Sequence, residues 1–267
     1  DWIHQNVSLS GLTCPRARRA GYINPARQVP GMEIRGNRKC TACGARWSYY
    51  ETGEIACPEC GSLKSVGVDD RRTHTAGTAE LDLSGVMADI ETAPTRELAE
   101  RAAEEAGGYV RTVGFIDAGT LQPLSERYVG ACELRRVGRT LGRLLEMSTD
   151  EELYFLSLLR AVTDGERPPP GEVPDTVRPE RGLAATAAVD AYLTDLRRVY
   201  ENREGPVDEV LSWVTTQKKR IDALDGDVEP VEADRLVRTV QDLGTYLRTG
   251  EEAALARAID STSSEVQ

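Results

Sequence analysis

The stretch CTACGARWSYYETGEIACPEC, residues 40–60, decides how the rest of this 267-residue chain is read. Two Cys-x-x-Cys pairs, Cys40/Cys43 and Cys57/Cys60, are separated by thirteen residues, and a glycine (Gly44, Gly61) follows each pair. Such a turn closes as a knuckle whose backbone amides point at the sulfurs. Glycine supplies the positive φ of that closure without a Cβ clash. Two facing knuckles bring four thiolates into a tetrahedron, the coordination Zn2+ takes in structural sites. All four positions are then filled, which leaves none for water or substrate, so the spacing predicts a structural metal and not a catalytic one. Between the knuckles we expect a strand over residues 45–50, a turn over 51–54 and a return strand over 54–56, which together make a zinc ribbon.

A unit this small has almost no core, so metal binding supplies its folding energy, about 10–16 kcal/mol in comparable peptides. The turns CTACG and CPECG also resemble rubredoxin-like sites, in which an iron held by four cysteines passes single electrons. Softness and geometry do not separate the two metals. Zinc is preferred because the chain shows no second redox centre or cofactor fingerprint. Trp47 and Tyr49 alternate and are expected to share one strand face, with Tyr50 on the other. They can be read as a stacking platform for bases beside Arg46. They can equally be read as cover, with Trp47 over the metal core and the tyrosines docking the ribbon on the body. In the first reading Arg35, Arg38, Lys39 and Arg46 supply the contacts to nucleic acid.

Outward from the ribbon the charge changes sign. Residues 1–31 hold four Arg against one Asp, and residues 32–72 hold seven basic against six acidic side chains. The total is −11, which leaves −15 for residues 73–267. An acidic body repels phosphate backbones and membrane surfaces, so a large basic nucleic-acid face is not expected there. Only four lysines occur, against 29 arginines and 44 carboxylates. That balance suits a cytoplasm with molar salt, where the Debye length falls to about 3 Å and acidic self-repulsion is screened. A GC-rich genome would explain the arginines but not the acid excess. Cys14 and Cys132 stand alone, so the cysteines read as metal ligands in a reducing cytosol and not as a disulfide framework. No apolar run reaches the 18 or so residues that span a bilayer, and no signal-peptide core lies near the start, so a cytoplasmic protein is expected.

The segment before Met32 lacks helical and strand periodicity and opposes the body in charge. The expectation is that Met32 is the natural start and that residues 1–31 are a non-native or disordered extension; a basic arm is the alternative. The ribbon then spans residues 32–70 and a connector 71–93. In the connector, Leu81 and Leu83 suggest a short strand, and His74 reads as solvated. Mainly α structure follows, as an antiparallel helical bundle. Leu98, Ala102, Ala106, Tyr109, Val113 and Ile116 form one apolar stripe, which predicts a helix over 95–117 with a kink at Gly107-Gly108. Leu134, Val137, Leu141 and Leu144 mark a second helix opened by Pro123, and Ser148 opens a third with a capping box; these three occupy 94–165. Residues 166–181, ERPPPGEVPDTVRPER, read as a proline-stiffened linker. Residues 182–260 hold three further helices and a short tail helix, and 261–267 a disordered tail. From residue 75 onward there is no histidine, and no phosphate loop or HExxH occurs anywhere. Cys132 has no base to activate it and reads as a small buried hydrophobe. No catalytic site is expected. The triplet Lys218-Lys219-Arg220 is too small for a nucleic-acid footprint.

The pattern CxxCGxRWxYYExGEIxCPxCGS resembles the zinc ribbon of the transcription factor B type. The run 32–70 is most similar to haloarchaeal proteins of unknown function that carry such a ribbon. In factor B proteins the ribbon contacts RNA polymerase, and two five-helix repeats grip the promoter complex. Here the two helical halves span about 70 residues each, tight for five helices apiece, and the body is acidic, so promoter binding is not carried across. The resulting expectation is a zinc-binding, non-catalytic adaptor whose ribbon docks a protein or nucleoprotein partner, with transcription as the setting the resemblance implies. A direct nucleic-acid binder and a rubredoxin-like iron carrier are the alternatives. Neither a membrane nor a small-molecule substrate is expected.

Overall fold

The computed structural model describes residues 32–201 and 205–263, so residues 1–31, with Cys14, and the end of the expected tail lie outside the described residues. The first strands are β1 (Met32–Ile34), β2 (Asn37–Cys40) and β3 (Arg46–Ser48), followed by a helical turn, α1 (Tyr49–Thr52). Next come β4 (Ser65–Gly67) and β5 (Arg72–His74). The ribbon sheet has the order β3-β2-β4, all antiparallel. This differs from the expected hairpin over 45–56. The chain after Trp47 turns helical and is closed by Gly53 at φ 66°. Residues 54–56 serve as cover, with the Trp47 indole N–H donating to the Glu54 carbonyl at 2.9 Å. The pairing partner of β3 therefore comes from residues 37–40, ahead of the first knuckle.

The helices are α2 (Ser84–Ala88), α3 (Thr95–Thr112), α4 (Glu126–Leu141), α5 (Thr149–Asp164), α6 (Arg178–Val199), α7 (Pro206–Ala223), α8 (Pro230–Thr249) and α9 (Glu252–Ser263). Where 81–83 suggested a strand, Leu83 is buried at the head of α2. The third helix starts as expected, with the Ser148–Glu151 capping box complete. The helix predicted over 95–117 is shorter. α3 runs unbroken through Gly107-Gly108 and ends at Thr112, and Ile116 enters a hairpin of β6 (Ile116–Asp117) and β7 (Thr120–Leu121). The turn places Ala118 at φ 48° and Gly119 at φ 87°. Positive φ at both central residues matches the twist of the flanking strands.

Two apolar cores share one helix. One core gathers Leu98 and Ala106 of α3, Leu134 and Leu141 of α4, and Phe155 and Leu159 of α5. The other gathers Val129 and Cys132 of α4 with α6, α7, α8 and α9. α4 approaches α3 closely because Gly138 has no Cβ; one there would lie 2.5 Å from the Ala99 carbonyl oxygen. Between the cores lies a buried ionic network. Arg181, 1% exposed, donates to both carboxylate oxygens of Asp234 at 3.1 and 2.7 Å, to Glu133 at 3.2 Å and to the Pro168 carbonyl at 3.1 Å. Arg167 joins Asp234 at 3.1 Å and Glu126 at 2.7 Å, and the Tyr154 hydroxyl donates to Glu133. The stretch expected as a linker thus contributes both cations, and its last four residues, 178–181, are the first turn of α6.

The ribbon is tied to the helices through β5. β5 pairs with β1, and the Gly119 N–H donates to the Thr73 carbonyl at 2.8 Å. Asp195 of α6, 4% exposed, accepts from the Thr75 hydroxyl at 2.6 Å and the Phe115 N–H at 2.8 Å.

Candidate metal centre

Each knuckle is built by the same pair of backbone bonds. The Cys40 N–H donates to the Ala45 carbonyl at 2.8 Å and the Gly44 N–H to the Cys40 carbonyl at 3.1 Å. In the second knuckle Cys57 donates to Ser62 at 3.0 Å and Gly61 to Cys57 at 2.8 Å. Gly44 and Gly61 hold φ values of 85° and 69°, the left-handed conformation their position after the second cysteine requires. The sulfurs of Cys40 and Cys60 lie 3.7 Å apart, those of Cys43 and Cys57 3.6 Å apart, and all four within 4.8 Å of one another. A tetrahedron with metal–sulfur bonds of about 2.3 Å has edges of about 3.8 Å, so the four residues fit one ion.

Electrostatics lead to the same requirement. The backbone N–H of Cys43, directed at Cys40, pulls that thiol down to about 6. At Cys43 the amide of Ala45 acts in the same direction, but the Cys60 sulfur and burial outweigh it and push the thiol up to about 12. Four negative sulfurs this close repel one another and are stable together only around a cation.

The other residues singled out from the sequence divide between the two faces of the sheet. Trp47, 8% exposed, packs on Cys40 and Cys57, and Arg38, paired with it across β2 and β3, donates to the Ser65 hydroxyl at 3.0 Å. Tyr49 does not share the Trp47 face, because β3 ends at Ser48 and α1 begins there. Its ring meets His74 edge-on at 6.3 Å, while Tyr50 lies 4.8 Å from His74 and donates its hydroxyl to the Ile34 carbonyl at 3.0 Å. His74 is therefore packed and not solvated. It accepts the Ala118 N–H at 3.3 Å, and burial holds its pKa below the ordinary value against the pull of Asp117.

Lys39 and Arg46, opposite each other in the register, are exposed on the outer face, and Val66 stands across from Lys39 on β4. Exposed Arg35 passes beside Gly67. Neither Lys39 nor Arg46 makes an ion pair among the described residues. Val66 belongs to a set missed in the sequence: Ile55, Leu63, Val66 and Val68 are 55%, 72%, 49% and 44% exposed. The signal was the Val-x-Val alternation in GSLKSVGVDD, hidden because the return strand was placed before the second knuckle instead of after it. Among the described residues no helix is long and apolar enough to cross a membrane.

Residues 32–262, from the ribbon through most of α9, match the Family of unknown function (DUF7117). No curated protein and no solved structure matches the chain.

Proposed function

The chain belongs to this family of unknown function, and from its metal centre we propose that it is a zinc-binding, non-catalytic adaptor whose ribbon docks a protein or nucleoprotein partner. The observation that carries the reading is the placement of Ile55, Leu63, Val66 and Val68. Four large aliphatic side chains lie open to solvent on a module whose own core is three residues, Cys40, Trp47 and Cys57. Exposed apolar side chains gathered on one small unit mark an interaction surface. Lys39 beside Val66, with Arg46 on its other side, adds charge for an acidic rim on the partner. The closed four-sulfur site supports zinc as a structural ion held by Cys40, Cys43, Cys57 and Cys60, supplying folding energy and no chemistry. The inward position of Trp47 weighs against a stacking platform for bases. Free thiols support a reducing compartment, and the scarcity of lysine beside 44 carboxylates supports a salt-rich one.

Metal analysis and partner capture test this together. Purified protein is expected to carry one zinc per chain and to be colourless; a visible absorption band with stoichiometric iron would replace the adaptor with an electron carrier. The Leu63→Ser/Val66→Ser variant should keep its zinc yet lose the partners that wild-type protein captures from native extract at molar salt. Equal capture by both proteins would move the docking site off the ribbon.

A further inference from the structure

The helical body is acidic as a whole, yet it carries a strip of arginines that no carboxylate neutralises. Arg135, Arg139 and Arg143 recur at every fourth residue of α4 and the turn that continues it, so they share one face about 6 Å apart along the axis. Arg111, in the last turn of α3, meets them where the two helices cross. A Cβ on Gly107 would lie 3.2 Å from Arg111 Nη1 and 3.4 Å from Arg135 Cδ, so both side chains extend over that glycine. Arg136 is already engaged, with Glu180 at 2.9 Å. The other four make no ion pair among the described residues, and Arg135 Nε is buried without a hydrogen-bond partner. The acids of α3 make no ion pair with the strip among the described residues, although Glu100 lies against Gly142 beside it. Glu97 and Glu100 pair with Arg101 and Arg96, and exposed Glu104 and Glu105 form no ion pair with the strip.

Gathering like charges in this way works against the fold. The Arg139 guanidinium is held below its ordinary value, by burial first and then by the charges of Arg135, Arg111, Arg143 and Arg136. The buried network around Arg167 and Arg181, by contrast, sets carboxylates against its arginines. An evenly spaced line of forked donors is complementary to a ligand with anions repeating along a line, and each guanidinium can take two phosphate oxygens. The strip follows α4 with Arg111 of α3 at one end, and the remaining length of α3 alongside it carries carboxylates, which admits one strand and repels a second.

We propose that Arg111, Arg135, Arg139 and Arg143 bind the phosphodiester backbone of a single-stranded nucleic acid. The site stands on α3 and α4 alone and does not depend on the ribbon's docking role. With about 0.7 counterion released per contact, four contacts give a log–log salt slope of roughly −2 to −3.

The test is fluorescence anisotropy of labelled oligo-dT and oligo-U with the full chain, from roughly 25 to 500 mM KCl. Wild-type protein should bind at the low end. Arg139→Gln/Arg143→Gln, at two exposed positions that leave the cores untouched, should weaken binding at least about tenfold and flatten the slope by about 1.4. Arg160→Gln/Lys219→Gln, which removes the same charge elsewhere, and Leu63→Ser/Val66→Ser, which alters only the ribbon, should both bind like wild type. The proposal is overturned if wild-type protein fails to bind at low salt, if the Arg160/Lys219 control loses as much affinity as the strip variant, or if poly-glutamate displaces the oligonucleotide at equal charge concentration. The last result would assign the strip to an acidic protein segment.

Discussion

Cysteine has two different roles in this chain, and the surroundings of each sulfur decide which. Cys40 and Cys57 are buried against Trp47 but face the sulfurs of Cys60 and Cys43, in a cluster that could hold a metal ion. Cys132 is buried among the aliphatic side chains of α4 and α6, where desolvation pushes its thiol up to about 12. A thiol raised in this way stays protonated at neutral pH. The stability it contributes is complete below the ordinary cysteine value of about 8.5 and is lost only as pH rises toward 12. Iodoacetamide at about pH 8, below that ordinary value, followed by peptide mass spectrometry, should therefore leave Cys132 unmodified in folded protein, even after a chelator has opened the four ligand cysteines. Labelling of Cys132 at the rate of the chelated ligands would show that α4 is not held as described. At this scale the four-cysteine cluster was highly legible in the sequence, because the spacing is the signal. It misread His74, which the pairing of β1 with β5 sets beside Tyr49 and Tyr50 and the bonds from β5 to the β6–β7 hairpin set beside Ala118.

Among the elements, those with strong local signals formed where expected and those without them moved. Ser148 and Glu151 cap α5 because both halves of the box lie within one turn. The stripe through Leu98, Ala102 and Ala106 makes α3, but Val113 and Ile116, in phase with it, leave the helix. Beyond Thr112, Gly114 approaches Thr75 so closely that a Cβ would lie 2.5 Å from its carbonyl oxygen, and the chain is drawn into hydrogen bonds with Thr75 and Ala76. The ribbon sheet likewise took partners from outside the knuckles. Its core shares no residue with either helical core, so Cys57→Ser should abolish metal binding and ribbon order while leaving most of the far-ultraviolet helical signal. A collapse of helicity in that variant would make the centre part of the body's own folding.

The whole molecule is organised by α4, which belongs to both cores, and by the charges buried beside it. Glu133 is fully buried on α4 and lies against Arg181 of α6, while Arg181 holds Asp234 of α8 in a two-pronged contact. Removing Glu133 takes one of its two carboxylates from buried Arg181 and the acceptor from the Tyr154 hydroxyl. Glu133→Ala is expected to cost about 3–5 kcal/mol in urea unfolding, far more than the loss of an exposed pair such as Arg257–Asp242. A cost below about 1 kcal/mol would mean that water reaches the network and Arg181 is not held dry. The acidic surface, by contrast, needed no structure to be seen, because it is a sum over composition.

The sequence by itself determined the four-cysteine cluster that could hold a metal, the mainly helical class, the starts of α3 and α5 and the sign of the body's charge. Each of these depends on spacing, periodicity or composition, and all are short-range or additive quantities. Only the tertiary structure decided that Arg167 and Arg181 are internal, that Asp195 receives Thr75 across 120 residues of chain, and that Arg135, Arg139 and Arg143 make no ion pair among the described residues while Arg167, Arg178 and Arg181 do. Whether a charged side chain is neutralised depends on which distant segment folds beside it. That choice is made by the packing of α3, α4, α6 and α8 against one another, and it leaves no local mark on the residues it brings together.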